Sequence, residues 1–399
     1  MRILLCPMSD PGYLYPATAV GLELRARGHT AGVLGRAGTL PLLRGTGLPL
    51  LQAEDYGGRG GFSVARSILG GMAQYLAIRR AASEFRPDVL LTSVLCHGAL
   101  LAAEVMDIPV VVLGLTAHLW DYRAGGASEP QPPSTPREWR TRETLRFYGE
   151  LREQAGLRAD GHHRSGSPLL GDALLLRGDP VFEYPGAVLP HRVHHVGPCC
   201  WEPPADMEEL NAVLAATDRT GKPVIYVHLG RVFGGESPWP RLNAAFAGGP
   251  FQAVVELGRS KDPAPEPGSD ILMVRKPWMG PLIDRAGLVL TSGTSAPVLN
   301  ALLRGRPLGV SPAGSEQPLL AAACVRAGVA VHVPERAGPD SVALLRSAWD
   351  DHAMRERAGE IGRRMASTDS AARAADILLR IGHGYSVTAP ATQARAADA

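Results

Sequence analysis

The feature that most restricts this chain is an alternation of short apolar runs with stretches of helical texture, joined by loops rich in glycine and proline. Ile3 to Cys6 reads as a buried strand, Cys6 to Gly12 as a loop, Ala17 to Arg27 as a helix with Gly28 at its C-cap, and His29 to Gly35 as a second strand. Strand, helix, strand of this kind demands a parallel sheet with a right-handed crossover. Such sheets bury both faces, and ligands sit beyond the carboxyl ends of their strands.

The alternation recurs along both halves. In the first half, Ser67 to Phe85 and His97 to Met106 read as helices, with strands at Val89 to Val94 and Ile108 to Leu113. Thr116 to about Gly166 departs from the pattern: a proline-rich loop, Ser128 to Pro136, precedes a charged helix from Arg140 to Gln154, an excursion of the kind kept for binding. Pro190 to Pro204 has little periodicity and lies near the midpoint, as an interdomain linker would. Beyond it, strands are expected at Pro223 to Leu229, Phe251 to Leu257, Ile271 to Val274, Gly287 to Leu290, Pro307 to Val310 and Val329 to Val333. The organisation is therefore two Rossmann-like, doubly wound α/β domains facing across a cleft, residues 1–198 and 206–384, joined by 199–205. The last helix is free to pack back on the first domain, and residues 385–399, lacking large apolar side chains, read as a disordered tail.

Charge excludes some partners. Forty-one basic against thirty-nine acidic residues leave +2, too little for a nucleic-acid backbone, and only Lys222, Lys261 and Lys276 are lysines. The five cysteines are odd in number and show no C-x-x-C spacing, so neither a disulfide framework nor a zinc site is indicated. No stretch reaches the ~18 apolar residues of a spanning helix and the first apolar run is too short for a signal peptide, so a cytoplasmic protein is expected. The His162-His163 and His194-His195 pairs diverge on a strand and read as structural, while Gly57 to Gly61 lacks the lysine of a phosphate loop and reads as a mobile loop. No metal is expected.

Several segments together resemble a family. Met1-Arg-Ile-Leu-Leu, Pro11-Gly12-Tyr13-Leu14-Tyr15-Pro16 and Leu22-Glu-Leu-Arg-Ala-Arg-Gly-His29 are similar to the opening strand, loop and helix of the nucleotide-sugar-dependent glycosyltransferases of GT-B architecture, family 1 type, especially the bacterial enzymes that decorate secondary metabolites. Val193-His-His-Val-Gly197-Pro198 resembles the end of their first domain. Val274 to Leu282, with Trp278, resembles the segment that packs on the nucleobase. Ser292-Gly293-Thr294-Ser295 resembles the diphosphate loop, and Glu316-Gln317 the pair that binds donor-sugar hydroxyls. The resemblance runs from Met1 to about Ile381. The chemistry of these residues agrees with it: small residues between a strand and a helix free backbone N–H groups for an anion, and a carboxylate beside an amide suits a vicinal diol.

The chain departs from the family at the positions that matter most. Tyr13 stands where a general-base histidine is usual, and a phenol with a pKa near ~10 is a poor base at neutral pH. Ser292 replaces the loop's histidine, Ala296-Pro297 a Gly-Thr pair, and Arg231 a small hydroxyl residue after Leu229-Gly230. Arg231 either compensates for the lost histidine at the diphosphate or is a surface arginine. The substitutes for the base are Asp10, His97 and His118; their structural readings are a turn cap, a helix cap and a buried polar residue. Trp120, Tyr122 and Trp139 either line an acceptor pocket or anchor the excursion. The expected catalytic set is thus Asp10, Tyr13 and His97. Arg231, Trp278, Ser292, Gly293, Thr294, Ser295, Glu316 and Gln317 are expected at the donor, and Tyr13, His118 and Trp120 at the acceptor.

What the resemblance implies is an inverting, metal-independent transferase. It would move a hexose or deoxyhexose from a UDP- or TDP-sugar to a small natural-product aglycone, without a cofactor, as a monomer or homodimer. The other readings are a catalytically impaired homologue that binds nucleotide sugars or assists an active transferase, and a sugar-nucleotide epimerase of similar architecture. The long excursion in the first half suits an acceptor pocket that an epimerase does not need.

Overall fold

The structure, a computed structural model, describes residues 1–52, 71–122, 136–160, 166–229, 237–258, 264–334 and 339–388. The first half comprises β1 (Arg2–Cys6), α1 (Pro11–Ala26), β2 (Thr30–Gly35), α2 (Leu40–Leu43), β3 (Leu50–Gln52), α3 (Gly71–Phe85), β4 (Val89–Ser93), α4 (His97–Met106), β5 (Val110–Leu113), α5 (Pro136–Gln154), β6 (Ala173–Leu176) and β7 (Val193–His195). The second comprises α6 (Met207–Asp218), β8 (Val224–His228), α7 (Trp239–Phe246), β9 (Gln252–Glu256), β10 (Ile271–Val274), α8 (Gly280–Arg285), β11 (Leu288–Thr291), α9 (Ser295–Leu303), β12 (Leu308–Val310), α10 (Gln317–Arg326), β13 (Ala330–His332), α11 (Pro339–Asp350), α12 (His352–Ala366) and α13 (Ser370–Thr388).

Among the described residues the strands form a seven-stranded sheet, β3-β2-β1-β4-β5-β6-β7, and a six-stranded sheet, β10-β9-β8-β11-β12-β13. Every pairing is parallel; Ile3 lies opposite Ala31 on one side and Val89 on the other. Each sheet is doubly wound, and its strand order reverses between β1 and β4 or between β8 and β11. The apolar runs are continuous because both faces are covered. Leu4, Leu90, Val110, Val112, Leu174 and Leu176 fill one core, and Ile3, Leu5, Val89, Leu91, Val111 and Leu175 fill the other. In the second sheet Tyr226, Val254, Val289 and Leu308 pack on one side, and Ile225, Val227, Val255 and Leu290 on the other. Each such side chain stabilises the fold by about 1.5–3 kcal/mol relative to exposure.

The structure departs from the sequence expectation in four places. Helix α1 starts at Pro11, not Ala17, and runs through Pro16; a proline at N1 has no useful N–H to lose, and Leu14, Tyr15, Ala17 and Val20 bury the helix against the sheet. This puts Tyr13 in the first turn. Strands β3 and β6 were not expected, because Leu-rich runs carry weak strand propensity, and the neighbouring strands decide the matter. Within Pro190 to Pro204, β7 is the strand that the resemblance implies for Val193 to Pro198, but the segment after it is no free linker: Cys199 is buried and donates its N–H to Ser370 Oγ at 2.9 Å. Helix α13 reaches Thr388, four residues past Gly384, because extending a docked helix costs little once its nucleus is fixed; residues 389–399 lie outside the described residues. Ala374, Ala375, Ile377 and Leu378 of α13 complete the core beneath α1 and β1, so the chain's last helix returns to the first domain.

Candidate active site

The two sheets present their carboxyl ends to one another. The loop after β5 meets the loop after β11, where the Thr116 N–H donates to Ser295 Oγ at 3.0 Å, and the Tyr15 hydroxyl of α1 donates to the Pro277 carbonyl after β10 at 2.9 Å. Arg140 Nη2 reaches the Ser315 carbonyl at 3.0 Å. Of the expected site residues, Asp10 and Tyr13 after β1, Ser292 to Ser295 after β11, and Glu316 and Gln317 after β12 lie along this seam.

On the second domain, Ser292, Gly293 and Thr294 join β11 to α9. Gly293 has φ +83°, the left-handed region that a glycine enters freely, and a Cβ there would lie 3.1 Å from the Gln317 carbonyl. The turn therefore packs directly on the start of α10 and brings the loop beside Glu316 and Gln317. Thr294 is the N-cap of α9, but its side chain makes no capping bond. The Ser292 and Thr294 hydroxyls are buried without a hydrogen-bond partner. Since Pro297 has no N–H and the Val298 N–H is taken by the Thr294 carbonyl, the donors left at this helix end are the Ser295 and Ala296 amides. Two unpartnered hydroxyls around two uncapped amides form a cradle for an anion. Gln317 is buried, and its Oε1 accepts from the Ala313 N–H at 2.9 Å. Glu316 is half-buried and holds the Ser315 hydroxyl. Trp278 is 3% exposed within the second core, so its ring is already packed on protein. Arg231 lies outside the described residues, as do Gly57 to Gly61, Ser128 to Thr135 and His162-His163.

On the first domain, Asp10 is the buried N-cap of α1. Its backbone carbonyl, not its carboxylate, takes the Tyr13 and Leu14 amides, at 2.9 and 2.8 Å. Tyr13 packs against the first core with its ring partly exposed. His97 opens α4 directly beyond β4; it is 1% exposed, both ring nitrogens lack a partner, and it lies edge-on to Tyr148 with centroids 6.0 Å apart. Burial pulls its pKa down to about 4, so the imidazole is neutral and weakly basic at pH 7. His118 is wholly buried and also drawn down to about 4, by burial first and then by Arg137. Its backbone is clamped: the N–H donates to Glu183 Oε1 at 2.7 Å, and the carbonyl accepts from Arg137 Nε at 2.8 Å. Trp120 is 3% exposed in the first core, whereas Trp139 on α5 is 53% exposed. Asp10 and Tyr13 thus share one helix start, while His97, His118 and Trp120 sit within the core beneath the cleft. All five cysteines are free; Cys200 is exposed, and burial pushes the thiols of Cys6, Cys96, Cys199 and Cys324 up, so none of those four supplies a thiolate. A hollow of about 510 Å³ between β7 and α13, lined by His194, Arg373, Arg380 and His383, lies off this seam and includes no expected site residue.

No family model matches the chain. It is similar to 4'-demethylrebeccamycin synthase of Lentzea aerocolonigenes, 24% identical over 94% of this chain and 98% of the relative. It is also similar to demethyllactenocin mycarosyltransferase of Streptomyces fradiae, 26% identical over 75% and 68%. Among solved structures, the kitacinnamycin glycotransferase superposes with a TM-score of 0.70 at 21% identity, over 95% of this chain and 98% of its own. The spinosyn rhamnosyltransferase SpnG, solved with thymidine diphosphate, gives 0.68 at 18% identity, over 94% and 100%.

The chain has the GT-B fold.

Several residues that hold this GT-B cleft together escaped the sequence reading. Glu202, inside the expected linker, accepts from the Met279 and Gly280 amides at 2.8 Å each and so fixes the turn that follows Trp278. The buried pair Arg137 and Glu183, 3.5 Å apart, locks the start of α5 to the loop carrying His118 and Trp120; burial pushes the Glu183 carboxyl up, and Arg137 opposes that. Phe182 leaves the first half altogether and is buried in the second core. Arg177 follows β6 at the carboxyl edge of the first sheet and is 3% exposed. The signal for Arg177 was available: a charged residue directly after the apolar run Ala173 to Leu176 belongs at the cleft once that run is a strand of a parallel sheet.

Proposed function

We propose that this GT-B homologue is an inverting, metal-independent glycosyltransferase that moves a hexose or deoxyhexose from a UDP- or TDP-sugar to a small natural-product aglycone. The observation that carries the reading is the buried cradle of Ser292, Thr294, the Ser295 and Ala296 amides and Gly293 at the start of α9. Buried hydroxyls without partners are uncommon in folded proteins, and at a helix N-terminus they suit a diphosphate. The spinosyn and mycarosyl relatives support a nucleoside diphosphate donor and a natural-product acceptor.

The chemistry then divides between the domains. The acceptor hydroxyl, held over the first sheet beside Tyr13, loses its proton to Asp10 or His97 as its oxygen bonds the anomeric carbon. The bond from that carbon to the diphosphate oxygen breaks on the opposite side, and the charge gathers at the α9 cradle. Acceptor and leaving group approach from different domains, as single in-line displacement with inversion requires. Glu316 and the Gln317 NH2 orient the sugar. The test is glycoside formation from UDP- and TDP-sugars with a panel of aglycones in EDTA: product of inverted anomeric configuration is expected, and protein that neither binds UDP or TDP nor forms any glycoside would sink the reading.

A further inference from the structure

The first domain places a cation at the seam for which the expected donor set made no provision. Arg177 leaves the end of β6 and lies buried under the loop after β5: its backbone N–H donates to the Leu115 carbonyl at 3.0 Å and its Nε to the Gly114 carbonyl at 2.9 Å. One residue on from Leu115, the Thr116 N–H bonds Ser295 Oγ, so the loop that holds the guanidinium also touches the first residue of α9. The titratable groups that face it at longer range come from both sides of the cleft: the Cys200 and Cys199 thiols between the domains, Tyr13 at the start of α1, and Glu316 before α10, of which only Glu316 is anionic at neutral pH. No ion pair involves Arg177 among the described residues, and its two Nη groups have no protein hydrogen-bond partner there. The other buried arginines spend their Nη groups on protein: Arg152 holds Glu104, Arg137 holds Glu183, and Arg241 bonds the Ser311 hydroxyl and the Pro334 carbonyl.

A buried guanidinium without a counter-ion is costly in free energy, and burial alone lowers its hold on the proton. Such a group persists where a ligand supplies the missing charge, and the fork of two Nη groups matches two oxygens of a phosphate. We propose that Arg177 binds the β-phosphate of the donor, closing from the first domain the cradle that Ser292, Thr294 and the α9 amides open from the second. The inference rests on the glycosyltransferase reading and deepens it. Arg177 meets the phosphate that carries the sugar, beside Glu316, and takes up negative charge as the glycosidic bond to the leaving oxygen breaks. The α-phosphate and the nucleoside stay with the second domain alone.

Calorimetric titration of the whole chain with UDP and TDP, and with UMP and TMP, tests this in the wild type, Arg177→Met and Arg177→Lys. Removing a charge-assisted, bidentate contact should weaken diphosphate binding about tenfold or more. Monophosphate affinity should stay within about twofold of wild type, as loss of a group that touches only the β-phosphate implies. Arg177→Lys should recover part of the loss, since the charge remains without the fork. The melting temperature of the free Arg177→Met protein should equal or exceed that of wild type, because an uncompensated buried charge has gone. Equal diphosphate affinity in wild type and Arg177→Met would overturn the inference, and so would parallel losses for mono- and diphosphates with a lowered melting temperature, which mark a structural role. If Arg177→Met does not fold, Arg177→Gln carries the same expectation. A wild type that binds no nucleoside diphosphate fails the glycosyltransferase reading; a wild type that binds it as tightly as the variants do fails only the role of Arg177.

Discussion

His97 and His118 are imidazoles that the fold keeps neutral, with pKa values drawn down to about 4 by burial. An exposed imidazole titrates near ~6.5, so between pH 6.5 and 4 the unfolded chain binds protons that the folded chain refuses. Stability from these two residues is therefore complete above about pH 6.5 and is lost as the pH falls towards 4, by about 3 kcal/mol for each. Melting temperatures recorded from pH 7 to pH 4 should fall less steeply in His97→Gln and His118→Gln than in wild type; parallel curves would remove the histidines from the acid sensitivity. Substitution discriminates the base, since an ordinary carboxyl also titrates near ~4. If His97 takes the acceptor proton, kcat/KM should show an acid limb near pH 4 that His97→Gln abolishes, whereas Asp10→Asn should lower kcat with the nucleotide affinity unchanged if the carboxylate does. Glu316→Ala should raise the donor KM or lower kcat about tenfold, as loss of hydrogen bonds from a charged group predicts, and unaltered kinetics would take the sugar away from it.

At the scale of elements, two glycines set how closely the chain can approach itself. Where α4 crosses α3, a Cβ at Gly98 would lie 2.3 Å from the Gly71 carbonyl oxygen and 2.7 Å from the Tyr75 amide, both backbone atoms that cannot swing aside. Gly98→Ala should force the helices apart and cost about 1–3 kcal/mol, read as a lowered midpoint in urea. Gly293→Ala acts differently. Its left-handed φ costs a residue with a Cβ about 1–2 kcal/mol, and relieving that strain would turn the Ser292 and Thr294 hydroxyls away from the α9 amides. UDP and TDP affinity should therefore drop more than global stability does, and a variant that keeps wild-type affinity would detach the turn from the anion cradle.

Over the whole molecule, the two halves are joined by more than the segment between them. Phe182 is buried in the second core, α13 completes the first, and Arg364 of α12 pairs with Asp179 through Nε at 3.0 Å and Nη2 at 3.2 Å. Truncation before Ser370 should strip Ala374, Ala375, Ile377 and Leu378 from the first core and leave the first domain unable to melt cooperatively, although α13 is last in the chain. Differential scanning calorimetry would show it as loss of one transition, and two intact transitions would refute it. The same distinction separates what was legible in sequence from what was not. Alternating strands and helices, both parallel sheets and the small-residue turn at Ser292 to Ser295 follow from local pattern, because strand burial and turn chemistry are properties of neighbouring residues. Strand β6, the early start of α1, the caps supplied by Glu202, the lock between Arg137 and Glu183, and the burial of Arg177 beside the cleft without a counter-ion do not. Each depends on partners far apart in the chain, and whether a guanidinium or a hydroxyl is left without one is decided only when the tertiary fold removes water and brings, or fails to bring, a counterpart within hydrogen-bonding distance.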